Sequence, residues 1–301
     1  MKKLLLPVVL ILVLALSACG SKDKSEGDSG ATTITYESQT GPVEVPADPQ
    51  RVVVLSSYAG DVISLGVNLV GVDSWSKMNP NFQDKLKDVA EVSDENLEKI
   101  IELKPDLIIG LDNVKNLDKL KEIAPTVVFT YGKVDYLTQH LEIGKVLNKE
   151  KEAQAWIDDF KMRAAKAGED IKAKIGADAT VSVIETFDKD VYVFGDNWGR
   201  GTEILYQAMG LAMPAKVKEM TKKDGYYAIS AEVLPEYMGD YVIFSKNADA
   251  DNSFQQTETY KNTPAAQNNH IFEVDAKRFY FNDATTLDYQ LDTFIQDFLG
   301  N

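Results

Sequence analysis

One glycine-rich segment, residues 190–203 (DVYVFGDNWGRGTE), carries the side chains best suited to hold a small ligand. Its glycines interrupt a predicted strand and form a loop at residues 195–201 that carries Asn197, Trp198 and Arg200. An indole provides apolar area, and a guanidinium provides forked hydrogen-bond donors. The combination indicates a site for a flat ligand with anionic oxygens.

The same loop also has a purely structural explanation. Tryptophans on loops often bury their rings, so Trp198 could belong to the core. Arg200 would then pair with Asp196 or Glu203, which flank it in the sequence. The chemistry of these residues alone does not choose between the two interpretations.

Further aromatic residues follow other predicted strands. Residues 278–283 (RFYFND) come after the strand at 271–274, and strand alternation sends Phe279 and Phe281 to one face and Tyr280 to the other. The first half of the chain adds three aromatic residues beyond strand ends: Tyr58, Trp75 and Tyr131. Together these side chains predict a cleft lined by aromatic groups with few charges.

The sequence offers no candidate catalytic group. The motifs G-x-S-x-G and H-E-x-x-H and a P-loop are absent, and the only histidines are His140 and His270. Neither belongs to a recognisable carboxylate-histidine motif, so both are interpreted as structural or surface histidines. A metal site of the usual His/Cys type is not expected, and the sequence favours a binding protein over an enzyme.

Strand-like and helix-like segments alternate along the body of the chain. They include predicted strands at 69–72 and 126–129 and a predicted helix from Thr202 to Met209. Such alternation predicts parallel sheets covered by helices. The segment from Lys149 to Lys174 is rich in Ala, Lys, Glu and Ile and predicts one long helix. We therefore expect an α/β fold with two Rossmann-like lobes, at 34–147 and 176–301, joined by a linking helix at 148–175. A cleft between the lobes is the expected ligand site.

The N-terminus predicts export and lipid anchoring. Residues 1–18 combine Lys2 and Lys3 with an apolar run of 13 residues, too short for the about 20 that span a bilayer. Cys19 follows directly and is the only cysteine, so no disulfide can form within the chain. Lipidation explains its position, and the polar, Gly/Ser-rich residues 19–33 then form a flexible tether.

The chain is strongly acidic. Its formal net charge is −15, and removal of residues 1–18 takes away two lysines and no acids, which leaves −17. This balance argues against nucleic acid as a partner and against charge-driven binding to anionic lipid.

From about Thr35 onward the chain resembles the siderophore-binding lipoproteins of ABC importers, and most closely the ferric hydroxamate-binding group. The resemblance rests on four segments: GDNWGRG at 195–201, LYQA at 205–208, APTVV at 124–128 and LKPDLII at 103–109. The first is fairly specific to the group, and the last marks only the wider class of cobalamin, haem and siderophore binders. The resemblance implies a class III binding protein whose lobes close little around the ligand.

The resemblance also implies roles for particular residues. Trp198 and Arg200 would contact the iron-hydroxamate centre, with Tyr192 and Tyr131 nearby. Residues 279–281 read Phe-Tyr-Phe where close relatives have Tyr-Trp-Tyr, which leaves the preferred hydroxamate open. The iron would be held by the siderophore, so the protein itself needs no cofactor or metal ligand.

The same resemblance implies a partner and a location. One acidic residue on each lobe would dock on the permease, and the matching positions are Glu98 and Glu232. The protein would be a monomer on the outer face of the cytoplasmic membrane, as in Gram-positive bacteria. A haem binder with Tyr131 or Tyr280 as axial ligand, a catecholate binder, and a surface adhesion lipoprotein without transport function remain alternatives. The single Arg of the loop disfavours catecholates, which carry about three negative charges.

Overall fold

Two five-stranded sheets, one from each half of the chain, form the framework of the protein. The computed structural model describes residues 32–187 and 190–300. The predicted signal sequence, Cys19 and most of the predicted tether lie outside the described residues. We call residues 32–147 the N-terminal half and residues 176–300 the C-terminal half.

The N-terminal half begins with a hairpin, and its main sheet is entirely parallel in the order β5-β4-β3-β6-β7. The strands are β1 (Thr33–Ser38), β2 (Gly41–Pro46), β3 (Val52–Val54), β4 (Leu69–Val72), β5 (Ala90–Glu91), β6 (Leu107–Leu111) and β7 (Thr126–Phe129). All three valines of β3 are fully buried, as expected for a parallel strand covered on both faces. β1 starts at Thr33, one residue before the predicted start of the lobe.

The sheet of the C-terminal half is mixed, in the order β10-β9-β8-β11-β12. Its strands are β8 (Val181–Phe187), β9 (Asp190–Phe194), β10 (Tyr226–Ile229), β11 (Tyr241–Lys246) and β12 (Ile271–Asp275). β8, β11 and β12 are parallel, whereas β9 is antiparallel to both of its neighbours. The short connection between β8 and β9 makes this pair antiparallel, because parallel strands need a long crossover.

Helices cover both sheets. In the N-terminal half they are α1 (Ala59–Ser64), α2 (Ser74–Met78), α3 (Gln83–Leu86), α4 (Leu97–Leu103), α5 (Leu117–Ile123) and α6 (Tyr136–Val146). The long helix α7 (Glu150–Ile175) follows, and then come α8 (Ala215–Thr221), α9 (Glu258–Lys261), α10 (Pro264–Gln267), α11 (Ala276–Phe279) and α12 (Ala284–Leu299). Short 3₁₀ turns occupy Pro80–Phe82, Leu234–Glu236 and Ser253–Gln256. No helix among the described residues is both long and apolar enough to cross a membrane.

The predicted long helix is confirmed as α7, which has 26 residues. Acidic residues in its first turn and lysines in its last turn match the helix dipole. Ala153 packs into the core of the N-terminal half, whereas Phe160, Ala164 and Ile171 pack into the core of the C-terminal half. The helix therefore joins the two halves through apolar contacts with both.

The last helix, α12, also contacts both halves. Leu287 and Phe294 are buried in the core of the C-terminal half. In its first turn, Thr285 Oγ1 donates to the carbonyl of Gly60 on α1 at 2.7 Å. Trp156 Nε1 on α7 donates to Asp288 Oδ2 at 2.9 Å, so α12 is fixed against the linking helix as well.

Two predicted elements differ from the structure. Residues 279–281 do not form a strand, because Asp275 caps α11 and the chain turns helical through Phe279. The helix predicted from Thr202 to Met209 is a π-helical turn at Glu203–Ala208. The π geometry is an uncommon variant found mostly at functional sites, and nothing in apolar spacing distinguishes it from an α-helix.

Candidate ligand-binding site

The 195–201 loop takes a backbone course that requires glycine. Gly199, Arg200 and Gly201 are successive residues with positive φ, at 68°, 58° and 80°. A Cβ on Gly199 would lie 2.4 Å from the carbonyl oxygen of Tyr280, and the Arg200 N–H donates to the carbonyl of Phe279 at 2.7 Å. The loop is thus pressed against residues 279–280, and only glycine permits that approach.

The buried carboxyl group of Glu203 stabilises the 195–201 loop through hydrogen bonds. Glu203 Oε1 accepts hydrogen bonds from the Gly199 N–H at 3.0 Å and from Asn282 Nδ2 at 2.9 Å. The hydroxyl of Thr202 donates to the Gly199 carbonyl at 2.8 Å and accepts from the Trp198 N–H at 3.2 Å. Burial raises the pKa of Glu203, although the hydrogen bonds that its carboxyl group accepts oppose the shift.

Arg200 is held by an acidic residue that the sequence did not single out. Its Nη2 and Nε atoms donate to the two carboxylate oxygens of Glu185 at 2.9 and 3.2 Å, and Nη1 donates to the Trp198 carbonyl at 3.2 Å. Glu185 is fully buried on β8, where Ser245 Oγ donates to it at 2.5 Å. The partner of Arg200 is therefore Glu185, and not Asp196 or Glu203.

Two aromatic rings sandwich the guanidinium. The centroids of Phe194 and Tyr280 lie 4.8 and 4.9 Å from Arg200 Cζ. Contact with both rings and the two-pronged bond to Glu185 leave little freedom for this side chain. The N–H groups of the guanidinium not bonded to Glu185 and Trp198 remain available to a ligand.

Trp198 is half-buried in an aromatic wall. Its ring packs edge-on against Tyr131 at 6.2 Å and tilted against Tyr226 at 4.9 Å between centroids. A Cβ on Gly225 would lie 2.9 Å from Trp198 Cε3, so the glycine lets the indole lie against the backbone. Tyr192 continues the wall, with its ring 6.0 Å from that of Tyr226.

These walls enclose a cleft of about 650 Å³ between the two halves. The cleft brings together six of the predicted ligand-binding residues: Trp198, Arg200, Tyr192, Tyr131, Tyr280 and Trp75. Trp75 is about half exposed and meets Tyr280 edge-on at 5.7 Å between centroids. The volume lies within the range of small-molecule sites, roughly 300–1,000 Å³.

Three predicted ligand-binding residues do not line this cleft. Phe279 is fully buried against Phe294, because the α11 geometry turns it into the core. Tyr58 is 4 % exposed, and it lines a neighbouring cavity of about 440 Å³ together with Asn197. Phe281 lines the cleft where Phe279 was expected, because the predicted alternation of residues 279–281 assumed a strand.

The charged groups of the cleft are few. Among the described residues that line it, Arg200 is the only cation, and Glu185 and Asp73 are the acids. Asp73 caps α2 by accepting the Ser76 N–H at 2.6 Å, and burial raises its pKa. No group of three or more His, Cys, Asp or Glu side chains that could hold a metal occurs in the part of the chain that the structure describes.

The histidines lie away from the cleft. His140 was expected to lack a carboxylate partner, but its Nδ1 lies 2.9 Å from Asp61 Oδ1 in a buried contact between α6 and α1. The sequence could not reveal this pair, because 79 positions separate the two residues. His270 stacks on Tyr241 with ring centroids 4.0 Å apart. Both contacts are structural.

Glu98 and Glu232, the predicted permease-docking residues, are both exposed. Glu98 is in the first turn of α4, after β5 ends at Glu91. Glu232 lies three residues beyond the end of β10 at Ile229. One residue therefore lies on each half, each after the carboxyl end of a strand.

Comparison with known proteins supplies the family. The family model described as "Periplasmic binding protein" matches residues 52–277. The iron(3+)-hydroxamate-binding proteins FhuD and YxeB of Bacillus subtilis are each 36% identical to this chain, over 94% and 97% of it and over 93% and 95% of their own lengths.

Solved structures agree. The FhuD protein from S. pseudintermedius is 39% identical, with a TM-score of 0.80 over 90% of this chain and 99% of its own. FhuD2 from Staphylococcus aureus with bound ferrioxamine B is 38% identical, with a TM-score of 0.80 over 84% and 99%. Both share the arrangement of two α/β halves that flank one long helix. This chain belongs to the periplasmic binding protein family.

Proposed function

We propose that this protein binds ferric hydroxamate siderophores outside the cell and delivers them to an ABC permease. The observation that carries the proposal is the Arg200 guanidinium, fixed at the base of an aromatic cleft with donors to spare. A ferric hydroxamate presents weakly charged oxygens around the iron and an organic backbone around them. Arg200 would donate to those oxygens while Trp198, Tyr131 and Tyr192 cover the backbone. The relatives named for iron(3+)-hydroxamate binding support the assignment.

The alternative ligands fit this cleft less well. Haem bound through tyrosine needs a phenolate, but desolvation raises the pKa of Tyr131 and of Tyr280 to about 12. A catecholate complex with about three negative charges would face one arginine already paired with Glu185. These features favour a compact, weakly charged chelate as the ligand.

Tryptophan fluorescence tests the proposal. Trp75 and Trp198 line the cleft, whereas Trp156 is bonded to Asp288 on α12, outside the cleft lining. Ferrichrome- or ferrioxamine-type complexes should quench wild-type fluorescence and raise the melting temperature. Arg200→Ala and Trp198→Ala should each weaken binding by about tenfold or more.

The double variant Trp75→Phe/Trp198→Phe keeps only Trp156 and serves as the control, because its emission should be quenched far less. Unchanged fluorescence and an unchanged melting temperature of the wild-type protein at saturating ferric hydroxamate would contradict the proposed function. Wild-type affinity in both Arg200→Ala and Trp198→Ala would instead remove the site assignment.

The N-terminal segment bears on where in the cell the protein acts. We propose that residues 1–18 are a signal sequence, that Cys19 carries the lipid, and that residues 19–33 tether a monomeric binding protein to the outer face of the cytoplasmic membrane. Such a tether raises the concentration of the binding protein near its permease without adding a contact. A Cys19→Ala protein should leave the membrane fraction, and its retention there would contradict the anchor.

A further inference from the structure

The Arg200–Glu185 pair gives the base of the cleft an unusual charge balance. Glu185 is fully buried, and Arg200 retains only a small exposed fraction, 16 % of its side chain. The carboxylate contacts the guanidinium through two hydrogen bonds, at 2.9 and 3.2 Å. The pair therefore presents donors to the cleft but almost no net positive charge.

The remaining charge in the cleft does not compensate for Glu185. Asp73 is the other acid of the lining, and Arg200 is the only cation among the described lining residues. Whether Asp73 is ionised or neutral, the summed charge of these three groups is negative or zero. A ligand anion in this cleft thus meets no uncompensated cation.

We propose that Glu185 makes this cleft select its chelates by net charge, so that cationic and neutral complexes bind more tightly than anionic complexes of the same shape. The inference rests on the proposed function and names the class of ligand that the site prefers. Glu185 acts through Arg200 and through its own buried charge, and not by touching the ligand, so it is a positioning residue.

The physical reason is the low dielectric around Glu185. A buried charge is poorly screened, so Glu185 cancels most of the attraction that Arg200 alone would exert on a ligand anion. The rings of Phe194 and Tyr280 lie against the guanidinium, and little of the pair is exposed to solvent. We expect an added negative charge on a ligand to weaken binding by about tenfold or more.

One scaffold with three end groups tests this selection. The ligands are ferric complexes of one linear trihydroxamate whose terminal amine is free, acetylated or succinylated, with net charges of about +1, 0 and −1 from the ordinary pKa values of amines and carboxylic acids. The affinity of the wild-type protein for the amine form should exceed its affinity for the succinylated form by a ratio of about ten or more. Glu185→Gln keeps the shape and a hydrogen-bond acceptor but removes the charge, and should narrow that ratio by about tenfold.

The matched control is Glu273→Gln. Glu273 is an exposed acid on β12 in the same half, paired with Lys246 at 2.8 Å and outside the cleft lining. This variant changes the net charge of the protein equally and should leave the ratio at its wild-type value.

Equal binding of the three complexes by the wild-type protein would overturn the inference, and so would equal ratios in the two variants. If Glu185→Gln does not fold, equal binding of the three complexes by the wild-type protein still overturns the inference. Absence of binding by all three complexes would contradict the proposed function itself, so the two failures are distinguishable.

Discussion

Gly199 allows the 195–201 loop to reach residues 279–280. Its φ of 68° is unfavourable for other residues, and a Cβ would lie 2.4 Å from a backbone carbonyl oxygen that cannot rotate away. We expect Gly199→Ala to destabilise the protein by about 3 kcal/mol, as a sum of backbone strain and steric overlap. Siderophore affinity should fall as well, because Arg200 is the next residue. Urea unfolding and fluorescence titration measure the two effects.

Gly66 provides a matched control for this prediction. Its φ is 70°, nearly that of Gly199, but nothing lies within 4 Å of the position that a Cβ would occupy. Gly66→Ala should therefore cost only the backbone term, about 1 kcal/mol, with no loss of affinity. Equal destabilisation by the two substitutions would show that the contact with Tyr280 is unimportant.

At the scale of single residues, the sequence predicted the side chains that line the cleft better than the residues that hold them in place. Trp198 and Arg200 could be recognised, because glycines on both sides indicate a loop. A tryptophan and an arginine on such a loop suggest contact with a ligand. Glu185 could not, since a charged residue within a predicted strand gives no sign that both faces of the strand are buried. Tyr226 was missed for a similar reason, because only the fold shows that β10 lies beside β9 and brings this ring to Trp198.

At the scale of elements, α12 begins at a buried carboxyl group. Asp283 caps the helix by accepting the N–H and the hydroxyl of Thr286 at 3.0 and 2.8 Å. Gly60 on α1 lies against it, because a Cβ there would fall 1.6 Å from Asp283 Oδ1. Burial and the neighbouring Asp61 raise the pKa of Asp283.

The raised pKa of Asp283 determines how the free energy of unfolding changes with pH. An acid with a raised pKa in the folded state stabilises the fold fully only below its unfolded pKa of about 4, and that contribution is lost as the pH rises through the higher folded pKa. Asp283→Asn keeps a capping oxygen but cannot ionise. Between pH 4 and 8, the wild-type free energy of unfolding should therefore fall relative to that of Asp283→Asn by more than about 1 kcal/mol. Urea unfolding at several pH values measures the difference.

Asp135 gives the opposite case as a control. It caps α6 in an exposed position, and hydrogen bonds from Thr138 and Leu137 outweigh partial burial and lower its pKa. Its contribution is lost only as the pH falls below about 4, so the difference between the wild-type protein and Asp135→Asn should stay level from pH 4 to 8. A level difference for Asp283→Asn as well would mean that Asp283 ionises normally.

The sequence predicted helices and strands best where their residues are buried in the core. The bounds of β4 and β7 agree with those predicted, because short β-branched runs between turn residues have few other solutions. The prediction failed at residues 279–281, where alternating aromatic residues imitate a strand but Asp275 caps a helix. The cluster of His140, Asp61 and Asp283 was also out of reach, since it joins three helices that only tertiary packing brings together.

At the scale of the whole molecule, two helices hold the halves in place. α7 contributes side chains to both cores, and α12 bonds to α1 at one end while it packs into the C-terminal half along its length. Such contacts resist a change in the angle between the halves. Glu98 and Glu232 should therefore keep a nearly constant separation with and without ligand, as a two-point docking surface requires.

Uptake of the siderophore tests these two residues as a pair. Both are exposed and neither lines the cleft, so Glu98→Ala/Glu232→Ala should bind ferric hydroxamate with wild-type affinity. Siderophore-dependent growth should nevertheless be lost, because rim charges act on the encounter with the partner and on register. The control is Glu102→Ala/Glu236→Ala, which removes two other exposed acids, on α4 and on the 3₁₀ turn at Leu234–Glu236, and should grow normally. Normal growth of the Glu98/Glu232 variant would place docking on another surface, whereas failure of both pairs would show that total charge matters rather than these two positions.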